Sequence, residues 1–247
     1  METGNYSHMK TVAIIPARLA STRLPQKMLR EIDGKPLVGW VYEAVASSRL
    51  LSDVVVATDS EVILEACRRY GWKAQLTSTG HRSGTERVHE VSDGLAADVY
   101  VNVQGDEPLV RPEQVATLLD VMKDESVQVG TLKTVCPPED VHNPNAVKVV
   151  TAADGRALYF SRATIPFDRD GGQSSYFKHL GLYAYCKSAL DFFARQPEST
   201  LEKSERLEQL RFLENGVSIY VGETPYDSVG VDTEEDLQRV AEILLRH

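Results

Sequence analysis

Arg18, Arg23 and Lys27 stand close together near the start of the chain, set among the small residues Ala17, Ala20, Ser21 and Thr22. Cations crowded into one loop repel each other unless an anion sits among them, and small side chains let backbone N–H groups approach that anion. Phosphate suits such a loop. Asp106 lies downstream between Gly105 and Glu107-Pro108, and Asp232 precedes Thr233 at another junction between an extended run and a helix. Carboxylates at the carboxyl ends of strands hold a divalent ion against phosphate oxygens, although Asp232 alone also reads as a helix-cap residue. Ser83-Gly84-Thr85-Glu86-Arg87 opens a further helix and reads either as a cradle for a base or phosphate or as an ordinary cap. The cationic loop and the two carboxylates together describe a site for Mg2+ and a nucleoside triphosphate.

The elements that must hold these residues follow from the apolar pattern. Residues 11–15 form a β-branched run suited to a buried parallel strand, which Pro16 should end, so that the cationic loop spills over the sheet's carboxyl edge. After the turn Asp33-Gly34-Lys35-Pro36, the residues Leu37, Trp40, Val41, Ala44 and Val45 recur at helical spacing. A strand is expected over 53–58, then a helix capped by Asp59 or Ser60 and stopped by Gly71, then a short strand over 73–76. The strand over 99–103 runs into Gln104-Gly105-Asp106, and Pro112 opens a helix through Lys123. This rhythm implies right-handed crossovers and a mainly parallel sheet.

Beyond Val129 the pattern changes. Strands are expected over 129–135, 147–151, 157–161, 179–185 and 218–221, with a hairpin through Asp154-Gly155. Residues 167–176 are polar and contain glycine, the composition of a mobile loop. Helices are expected around 188–195 and 202–214, and Thr233 with Asp236 caps a last one. No linker separates the halves, so the later part reads as an inserted lobe.

Composition excludes several classes. The chain has 247 residues, is 42% hydrophobic and carries a net charge of −9, the opposite of the basic balance of a nucleic-acid binder. Cys67, Cys136 and Cys186 lack metal or disulfide spacing and read as reduced thiols of a cytoplasmic protein. No apolar run is long enough to span a membrane, and residues 1–8 read as an appended leader with the native chain starting at Met9.

A resemblance covers the chain from about Met9 to its last helix. It rests on residues 16–27 and 83–87 together with Asn102-Val103-Gln104-Gly105-Asp106-Glu107-Pro108, Asn143-Pro144-Asn145-Ala146-Val147-Lys148, Tyr159-Phe160-Ser161-Arg162-Ala163-Thr164-Ile165-Pro166, His179-Leu180-Gly181-Leu182-Tyr183, Leu207-Glu208-Gln209-Leu210-Arg211 and Gly230-Val231-Asp232-Thr233. These strings resemble the 3-deoxy-manno-octulosonate (Kdo) cytidylyltransferase family. The resemblance implies a nucleotide-diphospho-sugar transferase-like three-layer α/β/α sandwich in one domain over 9–247, with residues 129–220 contributing a sugar-acid pocket and a dimerisation lobe. It implies that Arg18 and Lys27 hold CTP's triphosphate, with Asp106 and Asp232 binding Mg2+. Ser83, Gly84 and Arg87 would lie by the cytosine, with Gln104 shared between nucleotide and sugar. Arg162, His179, Tyr183, Glu208 and Gln209 would line the pocket for Kdo, Arg162 pairing its carboxylate. The implied reaction is attack of the sugar 2-hydroxyl on the CTP α-phosphorus in a homodimeric enzyme of lipopolysaccharide synthesis; sialic acid and 8-amino-Kdo are the alternative acceptors. One departure stands out, Gln26 where the family usually has glycine before the lysine.

Overall fold

The computed structural model describes residues 9–172 and 174–246, so the expectation about residues 1–8 lies outside it, as does Gln173 within the 167–176 loop. In chain order the elements are β1 (Thr11–Ala17), β2 (Glu31–Ile32), β3 (Lys35–Pro36), α1 (Leu37–Ala46), β4 (Asp53–Thr58), α2 (Glu61–Tyr70), β5 (Ala74–Leu76), α3 (Gly84–Gly94), β6 (Val99–Asn102) and α4 (Pro112–Val121). They continue with β7 (Val129–Val135), β8 (Lys148–Thr151), β9 (Ala157–Ser161), β10 (Phe177–Tyr185), α5 (Lys187–Arg195), α6 (Thr200–Glu205), α7 (Leu210–Glu214), β11 (Ile219–Glu223) and α8 (Glu234–Leu245).

One sheet runs in the order β11-β7-β10-β6-β1-β4-β5, with the β8–β9 hairpin attached to β10. Pairing is parallel among β6, β1, β4 and β5 and between β7 and β11. It is antiparallel wherever β10 is involved. Contrary to expectation, β1 carries through Pro16, which lies opposite Ala57 of β4. Its pairing with β6 ends at Ile14, so Pro16 faces a strand on one side only and its missing N–H costs no ladder bond.

Alternate residues of β1 go to opposite layers, as a buried strand requires. Ala13, Ile15 and Ala17 pack with Val38 and Val41 of α1, Ile63 of α2 and Leu118 of α4. Val12 and Ile14 pack with Val88 of α3, Leu190 of α5 and Phe212 of α7. A smaller core joins Leu24 and Ile32 to Val231, Leu237 and Val240, and so seats the start of α8 against the cationic loop. Thr233 caps α8 by accepting from the Asp236 backbone N–H at 3.2 Å, while the Asp236 carboxylate accepts from the Asp232 and Thr233 amides. Among the described residues no helix is long and apolar enough to cross a membrane.

Candidate active site

The loop after β1 and the segments holding Asp106 and Asp232 enclose a cavity of about 250 Å³ at the carboxyl end of the parallel strands. Gly105 makes the approach possible, since a Cβ there would meet the Pro16 carbonyl oxygen at 2.8 Å. Lys27 opens a one-turn 3-10 helix and is nearly buried. Its Nζ donates to Asp106 Oδ2 at 2.5 Å and to Asp232 Oδ1 at 3.0 Å. Burial works against its charge, but the two carboxylates outweigh it and hold the ammonium above its ordinary pKa. Asp232 likewise resists burial through Lys27 and Arg23 and is held below the usual carboxylate range. Arg23 pairs with Asp232 at 2.8 Å, and exposed Arg18 lines the same cavity. Gln26 sits at φ 52°, ψ 37°, a left-handed conformation that glycine takes without cost.

At the other end of this cavity Ser83 caps α3 by accepting from the Glu86 N–H at 3.2 Å, and Ser83 and Gly84 also line the wall. Arg87 is 4% exposed. It donates to Thr77 Oγ1 and, at 3.0 Å, to Asp59 Oδ2. Asp59 in turn accepts from the Leu19 N–H at 3.3 Å, so this ion pair ties α3 to the cationic loop. Ser60, not Asp59, caps α2.

A second cavity of about 430 Å³ adjoins the first, and Gly84, Gln104 and Glu208 line both. Its floor is β10, whose alternate residues His179, Gly181, Tyr183 and Tyr185 all face it. The pairing of β10 with β7 is irregular between Leu180 and Tyr183, yet the His179 and Tyr183 rings stay 5.3 Å apart on one face. Burial drives the His179 imidazole down to about 3, so the ring is neutral at physiological pH. The Thr131 hydroxyl lies 3.1 Å from His179 Nε2 and within reach of the Leu180 and Leu182 carbonyls, and so anchors the ring at that nitrogen.

The segment expected as one helix over 202–214 is broken into α6 and α7. Arg206 adopts φ 55° and ends α6, and a bidentate pair between buried Arg211 and Glu202 clamps the two short helices together. The break presents Glu208 and Gln209 to the second cavity, where a continuous helix would carry them along its flank. Burial pushes the Glu208 carboxyl up despite bonds from Thr85 and Ser83. Gln209 Nε2 is buried with no partner, an orphaned donor on the cavity's wall. Arg162 spends three of its five N–H groups on backbone: Nε on Glu205 O at 2.6 Å, Nη1 on Pro144 O at 3.0 Å and Nη2 on Arg206 O at 3.3 Å. It therefore clamps the chain at the helix break, with two N–H groups left over, and lines the second cavity.

Several residues of this region escaped sequence reasoning. Asp59 looked like a cap, and Thr131 sits in an apolar strand with no signal of its own. Glu107 lies beneath the junction, where Gly181 lets it approach: a Cβ on Gly181 would meet Glu107 Oε1 at 3.1 Å. Burial, then the neighbouring Asp106, push the Glu107 carboxyl up to about 7. The sole group of three metal-type donors among the described residues, His89, Asp93 and Asp191, lies away from both cavities, and Lys187 already bonds its two carboxylates.

The cytidylyltransferase family matches residues 12–219. The 3-deoxy-manno-octulosonate cytidylyltransferase of Koribacter versatilis is 66% identical over 99% of this chain and 92% of its own length. This chain belongs to the 3-deoxy-manno-octulosonate cytidylyltransferase family. Its member from Acidobacterium capsulatum is 54% identical, over 97% of this chain and 98% of that one. A solved structure of CMP:2-keto-3-deoxy-manno-octonic acid synthetase complexed with CTP superposes with a TM-score of 0.93 at 40% identity, covering 96% of this chain and 99% of the other. The protein is a cytidylyltransferase, and the three-layer fold expected from its strings is the one it adopts.

Proposed function

We propose that the enzyme joins CTP to 3-deoxy-D-manno-octulosonate, releasing pyrophosphate and supplying the activated sugar acid for lipopolysaccharide synthesis. The observation that carries this reading is the junction: a cation-lined cavity opens through Gly84, Gln104 and Glu208 into one bearing neutral acceptors and an orphaned amide donor. Arg18 and Lys27 bind the triphosphate, while Ser83, Gly84 and Arg87 shape the base end. Gln104, Arg162, His179, Tyr183, Glu208 and Gln209 receive the sugar acid. Gln209 Nε2 and the two remaining Arg162 N–H groups donate to its oxygens, and the neutral His179 ring offers one donor and one acceptor nitrogen.

The 2-hydroxyl oxygen attacks the α-phosphorus as the bond to the bridging oxygen of pyrophosphate breaks, and the hydroxyl proton passes to water. Positioning and charge neutralisation suffice for such a transfer, and no covalent nucleophile is required. Two carboxylates within 3.0 Å of one ammonium are hard oxygen donors that fit a divalent ion completing its shell on phosphate. When bound there, Mg2+ would neutralise charge on the reacting phosphates. Homodimerisation in the cytoplasm is part of the proposal, supported by the exposed apolar Val135, Leu158 and Phe167 in and beside the β7–β9 lobe. Pyrophosphate release from CTP with Kdo, 8-amino-Kdo and sialic acid in turn tests the assignment: turnover confined to either of the last two refutes it.

A further inference from the structure

Lys27 holds an unusual position for a triphosphate ligand. Its ammonium already bridges the two carboxylates read as metal ligands, at 2.5 and 3.0 Å, with its side chain only 10% exposed. A divalent ion drawn to the same oxygens meets a positive charge already seated on them, and two cations crowded onto one oxygen pair repel strongly. The backbone under Lys27 does not yield easily. Met28, its neighbour in the one-turn helix, is packed into the main core, and the left-handed Gln26 sits on its other side. Movement of the ammonium is therefore left to the side chain, and the wall beside it carries Arg18, Ser21, Thr22 and Arg23, the anion side of the cavity.

We infer that Lys27 is an exchange cation: it occupies facing oxygens of Asp106 and of Asp232, the latter also paired with Arg23, until a triphosphate offers its ammonium another anion, and so couples divalent-ion binding to nucleotide binding. The inference rests on the reading of Asp106 and Asp232 as metal-holding carboxylates. Coupling of this kind is reciprocal, so each ligand tightens the other by one factor, and removing the exchanged charge shrinks that factor. A lysine that served only as a phosphate contact would weaken nucleotide binding on removal and leave the bare ion's affinity where it was.

The test uses Mn2+, whose free concentration is read by electron paramagnetic resonance, titrated without sugar acid into the wild type, Lys27→Met, Lys27→Arg and the double variant Asp106→Asn/Asp232→Asn. Without nucleotide, Lys27→Met should bind Mn2+ at least about tenfold tighter than wild type, equivalent to about 1.4 kcal/mol. Lys27→Arg, which keeps the charge, should stay as weak as wild type, and the double variant should be weakest. Adding CTP should tighten Mn2+ binding more in wild type than in Lys27→Met. Equal affinity in wild type and Lys27→Met, with the double variant impaired, overturns the exchange and leaves the carboxylates as metal ligands. Wild-type binding in the double variant removes the metal reading itself. If Lys27→Met folds poorly, the melting temperature is the readout: Mn2+ should raise it by more than in wild type, and an equal rise counts against the exchange.

Discussion

The two cavities meet at Gly84, Gln104 and Glu208 yet are built by opposite means. The first is made of charged side chains on loops, held by ion pairs among themselves: Lys27 and Arg23 on Asp232, Lys27 on Asp106, Arg87 on Asp59. The second stands on a strand. Apart from Arg162, Arg206 and Glu208 its polar groups are uncharged, and they are held by the sheet and by backbone carbonyls, as with His179 against Thr131 and Arg162 on the break after α6. The contrast suits the ligands proposed. A triphosphate is read by charge, which tolerates a loop, whereas a sugar is read by the placement of single donors and acceptors, which needs a rigid floor.

The harshest probe of the charged half is Asp106→Asn, which keeps shape but removes a charge proposed to hold a divalent ion. Turnover should fall on the order of a hundredfold with the fold intact. Near-wild-type turnover at saturating Mg2+ would undo the metal assignment. Arg18→Ala against Arg162→Ala tests the division itself. Loss of a charge-assisted pair in a closed site costs roughly 2–5 kcal/mol, so kcat/KM should fall at least about thirtyfold in each. Calorimetry should show CTP binding weakened by Arg18→Ala and nearly untouched by Arg162→Ala. Equal loss of CTP affinity in both folded variants would erase the boundary between the cavities.

Two titrating groups sharpen the comparison through stability. Glu107, held at about 7 against its ordinary 4.5, keeps a proton that the unfolded chain has lost, so its contribution declines as pH rises through that window. His179, held near 3 against 6.5, acts in reverse: the unfolded chain takes up a proton that the native state refuses, and stability drops as pH falls below 6.5. Between pH 5 and 7 the two effects largely cancel in the wild type, so Glu107→Gln should uncover a loss of stability on acidification. His179→Asn should leave stability falling with rising pH, each by on the order of 1–2 kcal/mol. Urea midpoints at both pH values decide, and parallel curves for all three proteins would show that neither group is so placed. The smallest effect is expected at Gln26, whose left-handed backbone costs a non-glycine residue about 1 kcal/mol. Gln26→Gly should raise the melting temperature slightly and leave CTP affinity intact; a fall would mean that the loop needs its side chain.

The same contrast sets what the chain's letters reveal. The charged cavity was legible because its signal is local: cations among small residues, and carboxylates at strand ends, announce phosphate wherever they fold. The strands that carry them followed from β-branched runs, apart from Pro16, whose tolerance depends on β6 stopping short at Ile14. The second cavity was named only through resemblance, since nothing near His179 says that Thr131 of β7 will sit against its ring. The break between α6 and α7 was equally hidden. Arg206 in a left-handed conformation defies local preference, and it is held by Arg162 and by the distant pairing of Arg211 with Glu202. Glu107 read as a turn residue beside Asp106; only the approach allowed by Gly181 shows where it points.

β10 lies between β6 and β7 in the sheet although both are made long before it. During synthesis, at about 5–20 residues per second, the edge of β6 therefore waits several seconds for its partner. The junction of Lys27 with Asp232 waits longer still, since 205 residues separate the two in sequence. A nascent chain thus carries a bare apolar edge of the kind that pairs with other chains. It can gain no help from metal or nucleotide in covering it, because the carboxylate pair that would gather them is complete only when almost the whole chain has emerged.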